Sequence, residues 1–246
     1  MKPYNRETTT KSEEVKEMFD NIAPAYDRLN HILSLDIDKR WRRRVVKIVK
    51  TYEPELIIDM ATGTGDLALA LAQALPQSKV VGIDLSPGML EVAKVKIKEA
   101  KLSDRVEVLC GAAESIEMAS EVADVVSVAF GVRNFGDLQQ GLCEMCRVVK
   151  GGGHLVVLEF STPDNPLFRW CYNLYSRHIL PFIGGLISRD RRAYEYLPAS
   201  VEEFASPREF IEMMERAGCV ECEVKSLSFG IARIYVGQKN SIHEEI

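Results

Sequence analysis

Between residues 55 and 160 the chain alternates short apolar runs with helical patterns, and few folds accept that rhythm. Positions 56–60, 80–83, 106–109, 125–129 and 155–160 are continuous or nearly continuous apolar runs, as strands covered on both faces require. Helical periodicity fills most of the gaps, over 67–75, 89–101 and 138–150. Ser86 followed by Pro87 supplies an N-cap and a first-turn residue for the second of these. Strand and helix alternating in this way dictate an open, mostly parallel sheet with right-handed crossovers, the α/β class.

The flanks depart from the alternation. Thr10-Lys-Ser-Glu13 has capping-box spacing, and Val15, Met18, Phe19 and Ile22 then repeat as one helical stripe. A second helical segment, 38–50, sets Arg40, Arg42, Arg43 and Arg44 beside Trp41, Val45, Val46 and Ile48. A solvated face is the plain reading of the arginines; phosphates or an anionic membrane surface are the alternative. Ser206-Pro-Arg-Glu209 is another capping box, Phe210, Met214 and Ala217 form its apolar stripe, and Gly218 suits a helix C-terminus. Extended segments 220–229 and 231–239, separated only by Gly230, demand an antiparallel hairpin. The aromatic stretch 161–205 is interrupted by Arg169, Arg177 and His178, so it cannot span a bilayer and reads as a lid or an extra packing helix. With no repeat or linker, 1–246 is expected to be one domain, with a helical cap over about residues 10–50 and a lid insertion over 161–205.

Composition removes several function classes. Basic side chains number 31 against 36 acidic, a net charge of −5, which speaks against wholesale nucleic-acid binding. The opening residues lack an apolar signal core and carry acidic side chains, so the expectation is a cytoplasmic protein whose six cysteines stay reduced. Cys143-x-x-Cys146 and Cys219-x-x-Cys222 have the count of a four-cysteine zinc site. The first pair sits inside a helical pattern, however, so buried apolar roles are expected and no metal.

The ligand signal lies at the end of the first run, in Asp59-Met-Ala-Thr-Gly63-Thr64-Gly65. The two glycines allow a sharp turn and close backbone approach where open α/β sheets bind ligands. Asp84, at the end of the second run, can accept hydrogen bonds from both hydroxyls of a ribose. Gly63, Gly65 and Ala68 also fit the dinucleotide fingerprint. Asp59 separates the two ligands: a carboxylate near the turn repels a pyrophosphate but suits the ammonium and sulfonium charges of S-adenosylmethionine. Together with the terminal hairpin this favours a methyltransferase over a dehydrogenase.

Beyond these physical signals, the chain resembles the ubiquinone/menaquinone biosynthesis C-methyltransferases over roughly 15–239. The resemblance is carried by Tyr26-Asp27-Arg-Leu-Asn30…Ser34…Trp41, Phe130-Gly-Val-Arg133-Asn134, Arg147-Val-Val-Lys-Gly-Gly-Gly153 leading to Leu158-Glu159-Phe-Ser161, and Tyr194-Glu-Tyr196-Leu-Pro198-x-Ser200. It implies a Rossmann-like class I S-adenosylmethionine-dependent fold: a seven-stranded, mostly parallel sheet ending in an antiparallel hairpin. It also implies methyl transfer to a ring carbon of a polyprenylated quinol, most in keeping with demethylmenaquinol, the benzoquinol of the ubiquinone pathway being the alternative. The cofactor set is then Asp59, Gly63, Thr64, Gly65, Asp84, Ala112, Ala113 and Ala129, and the catalytic set Arg133, Asn134, Tyr26, Asp27 and Tyr196. Arginine stays protonated, with a reference pKa above about 12, so Arg133 suits stabilisation of a phenolate. Three positions depart from the family pattern: Asp38 for a usual histidine, Gly151 for a common proline, and Ala112 where an asparagine or aspartate often meets adenine. Other small-molecule methyltransferases, a NAD-dependent oxidoreductase and a noncatalytic scaffold remain as alternatives. A prenylated substrate would require transient contact with a membrane surface, and the sequence leaves open whether the chain forms a homodimer.

Overall fold

The apolar runs become strands β1 (Leu56–Met60), β2 (Lys79–Asp84), β3 (Val106–Cys110), β4 (Ala123–Ala129) and β5 (Val149–Phe160), followed by β6 (Cys219–Leu227) and β7 (Ala232–Lys239). The computed structural model describes residues 1–27, 30, 34, 36–175 and 191–241, without the side chains of 171, 173, 191 and 194. Arg28 and Leu29 of the first motif, Arg177, His178 and the Tyr194 side chain therefore lie outside the described residues. The strand order is β3-β2-β1-β4-β5-β7-β6, parallel from β3 to β5, with β7 inserted antiparallel between β5 and β6.

Helices α1 (Lys11–Ile22) and α2 (Ile37–Lys50) precede the sheet. Within and after it come α3 (Asp66–Ala74), α4 (Pro87–Glu99), α5 (Leu138–Val148), α6 (Pro166–Leu174), α7 (Arg191–Glu202) and α8 (Pro207–Arg216). Thr10 and Ser206 each complete a capping box, and the Ser86 side chain caps α4. One sheet face buries Trp41, Val45 and Val49 of α2 and Leu67 and Leu71 of α3 against Ile57, Val156 and Ile234. The other buries Leu142 and Met145 of α5 and Phe210 and Met214 of α8 against Ile58, Val126 and Tyr235. Each such side chain contributes about 1.5–3 kcal/mol by leaving water. A third, smaller cluster joins Val15, Met18 and Ile22 of α1 to Met89, Ala193 and Tyr196 above the carboxyl edge of the sheet.

Two boundaries differ from the sequence expectation. β5 starts at Val149, because Val149 pairs with Ala123 before a register shift leads into the His154–Val125 pairing. Gly153 is required there, since a Cβ would meet the Asp124 carbonyl oxygen at 2.7 Å. This glycine stretch has no apolar signal, and the strand takes the last residues of the expected helix. The hairpin link is also longer than Gly230 alone: Ser228–Gly230 form a 3₁₀ turn, with Ser228 and Phe229 at φ 45° and 58°. One residue cannot reverse two paired strands, so the turn takes its extra residues from the strand ends. Among the described residues, no helix is long and apolar enough to cross a membrane.

Candidate active site

The carboxyl ends of β1, β2, β3 and β4 meet at the glycine turn. Ala61, Gly63 and Gly65 all take positive φ, at 51°, 56° and 82°. The Thr62 amide donates to the Ile83 carbonyl at 3.0 Å, pinning the turn to β2. Nothing lies within 4 Å of a Cβ built on Gly63, so the backbone there faces open space. Asp84 sits across that space. Its carboxylate accepts from the Gly63 amide at 2.8 Å and the Ser86 amide at 2.9 Å. Burial pushes its pKa up while these amides pull it down, leaving a net upward shift.

Gly63, Asp84, Ala112, Ala113, Ala129, Tyr26 and Asn134 line one cavity at this edge. Asp59, Thr64 and Gly65 do not line it. The Asp59 carboxylate is buried under the turn, accepting from Thr62 Oγ1 at 2.7 Å and Ser127 Oγ at 2.8 Å. Burial pushes its pKa up to about 6. Its expected direct meeting with a ligand cation is therefore corrected: Asp59 shapes the turn from beneath, because a carboxylate four residues before Gly63 lies inside strand β1. Thr64 is likewise turned away, its hydroxyl donating to Asp27 at 2.5 Å. Asp27 in turn accepts from Lys96 Nζ at 2.6 Å, and Lys96 reaches Asp66 at 2.5 Å. Asp27 lines neither this cavity nor the one above it; it ties the N-terminal cap to the glycine turn.

These carboxylates decide between the two adenosine ligands. A dinucleotide pyrophosphate rests on the N-terminus of the helix after the glycine turn. That end of α3 is bordered by Asp66 and Asp27, which are matched by Lys96 and by Arg42 at 3.5 Å from Asp66, so it offers no surplus positive charge to a dianion. An open glycine backbone, a carboxylate set for a ribose and small alanines at the β3 end fit the adenosyl group of either ligand.

A second cavity of about 300 Å³ lies above, under α1, α2, α6 and α7. Its wall is mainly apolar, including Met18, Ile22, Trp41, Phe160, Tyr172 and Leu197. Phe19, Tyr26, Phe130 and Asn134 line both cavities, so the two meet across these four side chains. Phe130 holds φ at 61°, costly for a bulky residue, and such strain collects at working sites. Gly131 makes the bend feasible: a Cβ there would come within 2.5 Å of Ala61 Cβ.

Arg133 follows this bend, nearly buried in the upper cavity. Its Nη1 donates to the Phe130 carbonyl at 2.6 Å and to Glu159 Oε1 at 2.7 Å, and the guanidinium lies 5.3 Å from the Phe160 ring centre. Burial acts against its charge, but Glu159 outweighs it and holds the pKa above the ordinary arginine value. Lys11 of α1 clamps the turn from outside, donating to the Arg133 and Phe135 carbonyls at 2.9 and 2.8 Å. Arg133 Nε, Asn134 Oδ1 and Tyr196 Oη are buried with no hydrogen-bond partner among the described residues. Burial raises the phenol pKa of Tyr26, and lifts that of Tyr196 and of Tyr172 to about 12. All three therefore donate rather than act as bases at neutral pH.

The ubiE/COQ5 methyltransferase family model matches residues 7–239 of the chain. The chain belongs to this family. A Bacteroides fragilis protein named demethylmenaquinone methyltransferase is 42% identical over 239 residues, covering 97% of each chain. A Syntrophotalea carbinolica protein named ubiquinone/menaquinone biosynthesis C-methyltransferase UbiE is 47% identical over 225 residues, covering 92% of this chain and 94% of that one. Among solved structures, a Thermotoga maritima S-adenosylmethionine-dependent methyltransferase, a possible histamine N-methyltransferase, superposes with TM-score 0.62 at 20% identity, covering 91% of this chain and 99% of that one. The [4+2]-cyclase SpnF reaches 0.66 at 16% identity, covering 94% and 97%. Likeness at that identity speaks for the fold alone. As a ubiE/COQ5 family member, the chain is an S-adenosylmethionine-dependent C-methyltransferase of quinone biosynthesis.

Two groups of this ubiE/COQ5 site escape sequence reading. Glu159 stands in a recognised motif but is given no partner there; one carboxylate inside the apolar run 155–160 is itself the sign of a buried ion pair. Sequence alone places Arg42 with its neighbours on a solvated face, yet of these four arginines Arg40, Arg43 and Arg44 are exposed and Arg42 is half-buried. Arg42 turns inward to bond Asp38 and lies 3.5 Å from Asp66. Of the cysteines, Cys146 on α5 and Cys219 on β6 bring their sulfurs to 3.7 Å. Among the described residues no cluster of three or more histidine, cysteine or acidic side chains is arranged for a metal.

Proposed function

We propose that the protein methylates the ring of demethylmenaquinol, giving menaquinol. The observation that carries this reading is a set of three buried polar atoms without a partner among the described residues, Arg133 Nε, Tyr196 Oη and Asn134 Oδ1, at a cavity whose wall is mainly apolar. Native proteins rarely leave such atoms unpaired, and the hydroxyls of a hydroquinone ring would satisfy them while its prenyl tail occupies the apolar remainder. The Bacteroides relative, named for demethylmenaquinone and matching over 97% of the chain, supports the same substrate.

When bound in the lower cavity, S-adenosylmethionine supplies an electrophilic methyl group on sulfonium. Gly63, Asp84, Ala112, Ala113 and Ala129 hold the nucleoside part. Tyr26, Phe130 and Asn134 form the partition across which ring carbon and methyl are aligned, and alignment alone removes several kcal/mol of barrier, up to about 7–11 in well-oriented cases. Loss of a ring hydroxyl proton to solvent places electron density on the ortho carbon. Arg133, held cationic by Glu159, and the neutral phenol of Tyr196 donate to the resulting phenolate oxygen. As the ring carbon bonds the methyl group, the methyl–sulfur bond breaks with its electron pair left on the departing thioether, and the ring C–H proton then passes to solvent, which restores aromaticity.

Parallel assays with demethylmenaquinol and the corresponding benzoquinol at matched prenyl length test the choice of ring. Preferential turnover of the naphthoquinol is expected. A benzoquinol methylated at least as efficiently would replace this reading with the ubiquinone-pathway activity.

A further inference from the structure

The wall of the upper cavity carries a second buried ion pair, to which the steps above give no part. Asp38, in the first turn of α2, is 3% exposed and lines that cavity together with Ser34 and Arg42. Its Oδ1 accepts from Ser34 Oγ at 2.6 Å, and its Oδ2 accepts from Arg42 Nη1. A carboxylate can accept about four hydrogen bonds, so these two contacts aim the group without exhausting it. Desolvation at a mainly apolar wall cancels most of what such a pair adds to stability. The helix dipole would be served as well by an exposed carboxylate in the same turn.

This pair and the Arg133–Glu159 pair border the same space. Arg42 lies 5.7 Å from the centre of the Phe130 ring and Arg133 lies 5.3 Å from that of Phe160, and the two rings stack at 4.4 Å. Tyr26 feels both guanidiniums: burial raises its phenol pKa, and the charges of Arg133 and Arg42 each oppose the rise. The cavity therefore has two polar stations of opposite character. Arg133 and Tyr196, with the adjacent Asn134, suit the oxygen that ionises, whereas an ionised Asp38 can only accept. An aromatic diol has both needs at once, because one oxygen becomes an anion that takes donors while the other keeps a proton that takes an acceptor.

We infer that Asp38 accepts a hydrogen bond from the second ring hydroxyl, the one not adjacent to the methylated carbon, and so selects a diol over a ring with a single hydroxyl. The inference rests on the quinol reading above. With one oxygen at Arg133 and the other at Asp38, the rotation of the ring is fixed, and the carbon beside the first oxygen is presented to the partition of Tyr26, Phe130 and Asn134. No bond is made or broken at Asp38; it determines specificity and orients the ring.

The test compares demethylmenaquinol with the matching naphthol that lacks the second hydroxyl, using the full chain and saturating S-adenosylmethionine. The two rings differ in intrinsic reactivity, so the readout is the ratio of their kcat/KM values, wild type against variant. Asp38→Asn keeps the shape and exchanges a charged acceptor for a neutral one. The ratio should fall about tenfold, mainly through loss on the diol, with the affinity for S-adenosylhomocysteine unchanged. An unchanged ratio, whether or not activity drops, would overturn the inference by reducing Asp38 to a structural partner of Arg42. Wild type alone gives a second measurement that no folding defect can cloud: in calorimetry with S-adenosylhomocysteine bound, the diol, kept reduced, should bind about tenfold or more tightly than the naphthol. Equal affinities would also overturn the inference. A wild type that methylates neither ring would instead overturn the quinol reading, and the inference with it.

Discussion

At the scale of single residues, Arg133 and Glu159 form one buried ion pair to which we assign a part in both stability and chemistry, and the two contributions can be separated. Arg133→Ala leaves Glu159 buried and unpaired, which should cost about 3–5 kcal/mol in chemical denaturation. Replacing both with methionine should recover most of that loss, because a buried pair stabilises little beyond apolar residues of similar volume. Turnover should not recover. Loss of a preorganised donor to a developing oxyanion lowers kcat by roughly 10²–10³, so kcat should fall in the single and the double variant alike with little change in the KM for S-adenosylmethionine. Recovered activity in the double variant would reduce Arg133 to a structural ion pair. Asp84→Ala should act on the other ligand, weakening S-adenosylhomocysteine by about 1.5–3 kcal/mol in calorimetry, the worth of hydrogen bonds to a charged group. Much at this scale is legible from sequence, since Gly63, Asp84 and Arg133 are chemically conspicuous at their positions. Asp59 is legible as a charge and Asp27 as part of a motif, and neither says which way its strand or loop aims the carboxylate.

The elements show why cap and sheet act together. Glu14 on α1 is buried and accepts from the Tyr4 and Arg6 amides and the Thr9 hydroxyl, at 2.6, 2.8 and 2.6 Å, folding the N-terminal segment onto the helix. Burial raises its pKa, but these hydrogen bonds prevail and hold it at about 2. A carboxylate with a folded pKa below its unfolded 4.5 stabilises the fold above that pH and loses the contribution as pH falls from 4.5 toward 2. The melting-temperature gap between wild type and Glu14→Gln should therefore be full near pH 6 and close progressively below pH 4.5, as followed by circular dichroism. Gly131→Ala probes the seam between β1 and β4: with 2.5 Å available to its Cβ, the strand ends must separate. Overpacking of this kind costs about 1–3 kcal/mol, and both ligands should bind more weakly. The helices and parallel strands are legible because burial on both faces writes apolar runs into the sequence. The start of β5 at Val149 is not, because its glycines serve close backbone approach and carry no period.

For the whole molecule, the sheet order, the N-terminal helices and the insertion helix set two cavities side by side that share Phe19, Tyr26, Phe130 and Asn134. Linkage gives a global readout: S-adenosylhomocysteine at 100 times its Kd adds about 2.7 kcal/mol to stability, or roughly 5–10 °C in melting temperature for a chain of this size. NAD should add none, given the carboxylates at the start of α3. The family was legible from four separated motifs. The meeting of the cavities is not, because it depends on residues from α1, the segment after it and the turn after β4 that only the fold brings together. That meeting is tested most directly by single-turnover methyl transfer from labelled S-adenosylmethionine to demethylmenaquinone, supplied reduced or oxidised, with the product resolved by mass spectrometry. Carbon methylation of the reduced ring alone, abolished by Arg133→Ala, is the expected result. Methylation of the oxidised quinone, transfer to oxygen instead of carbon, or full activity without Arg133 would contradict it.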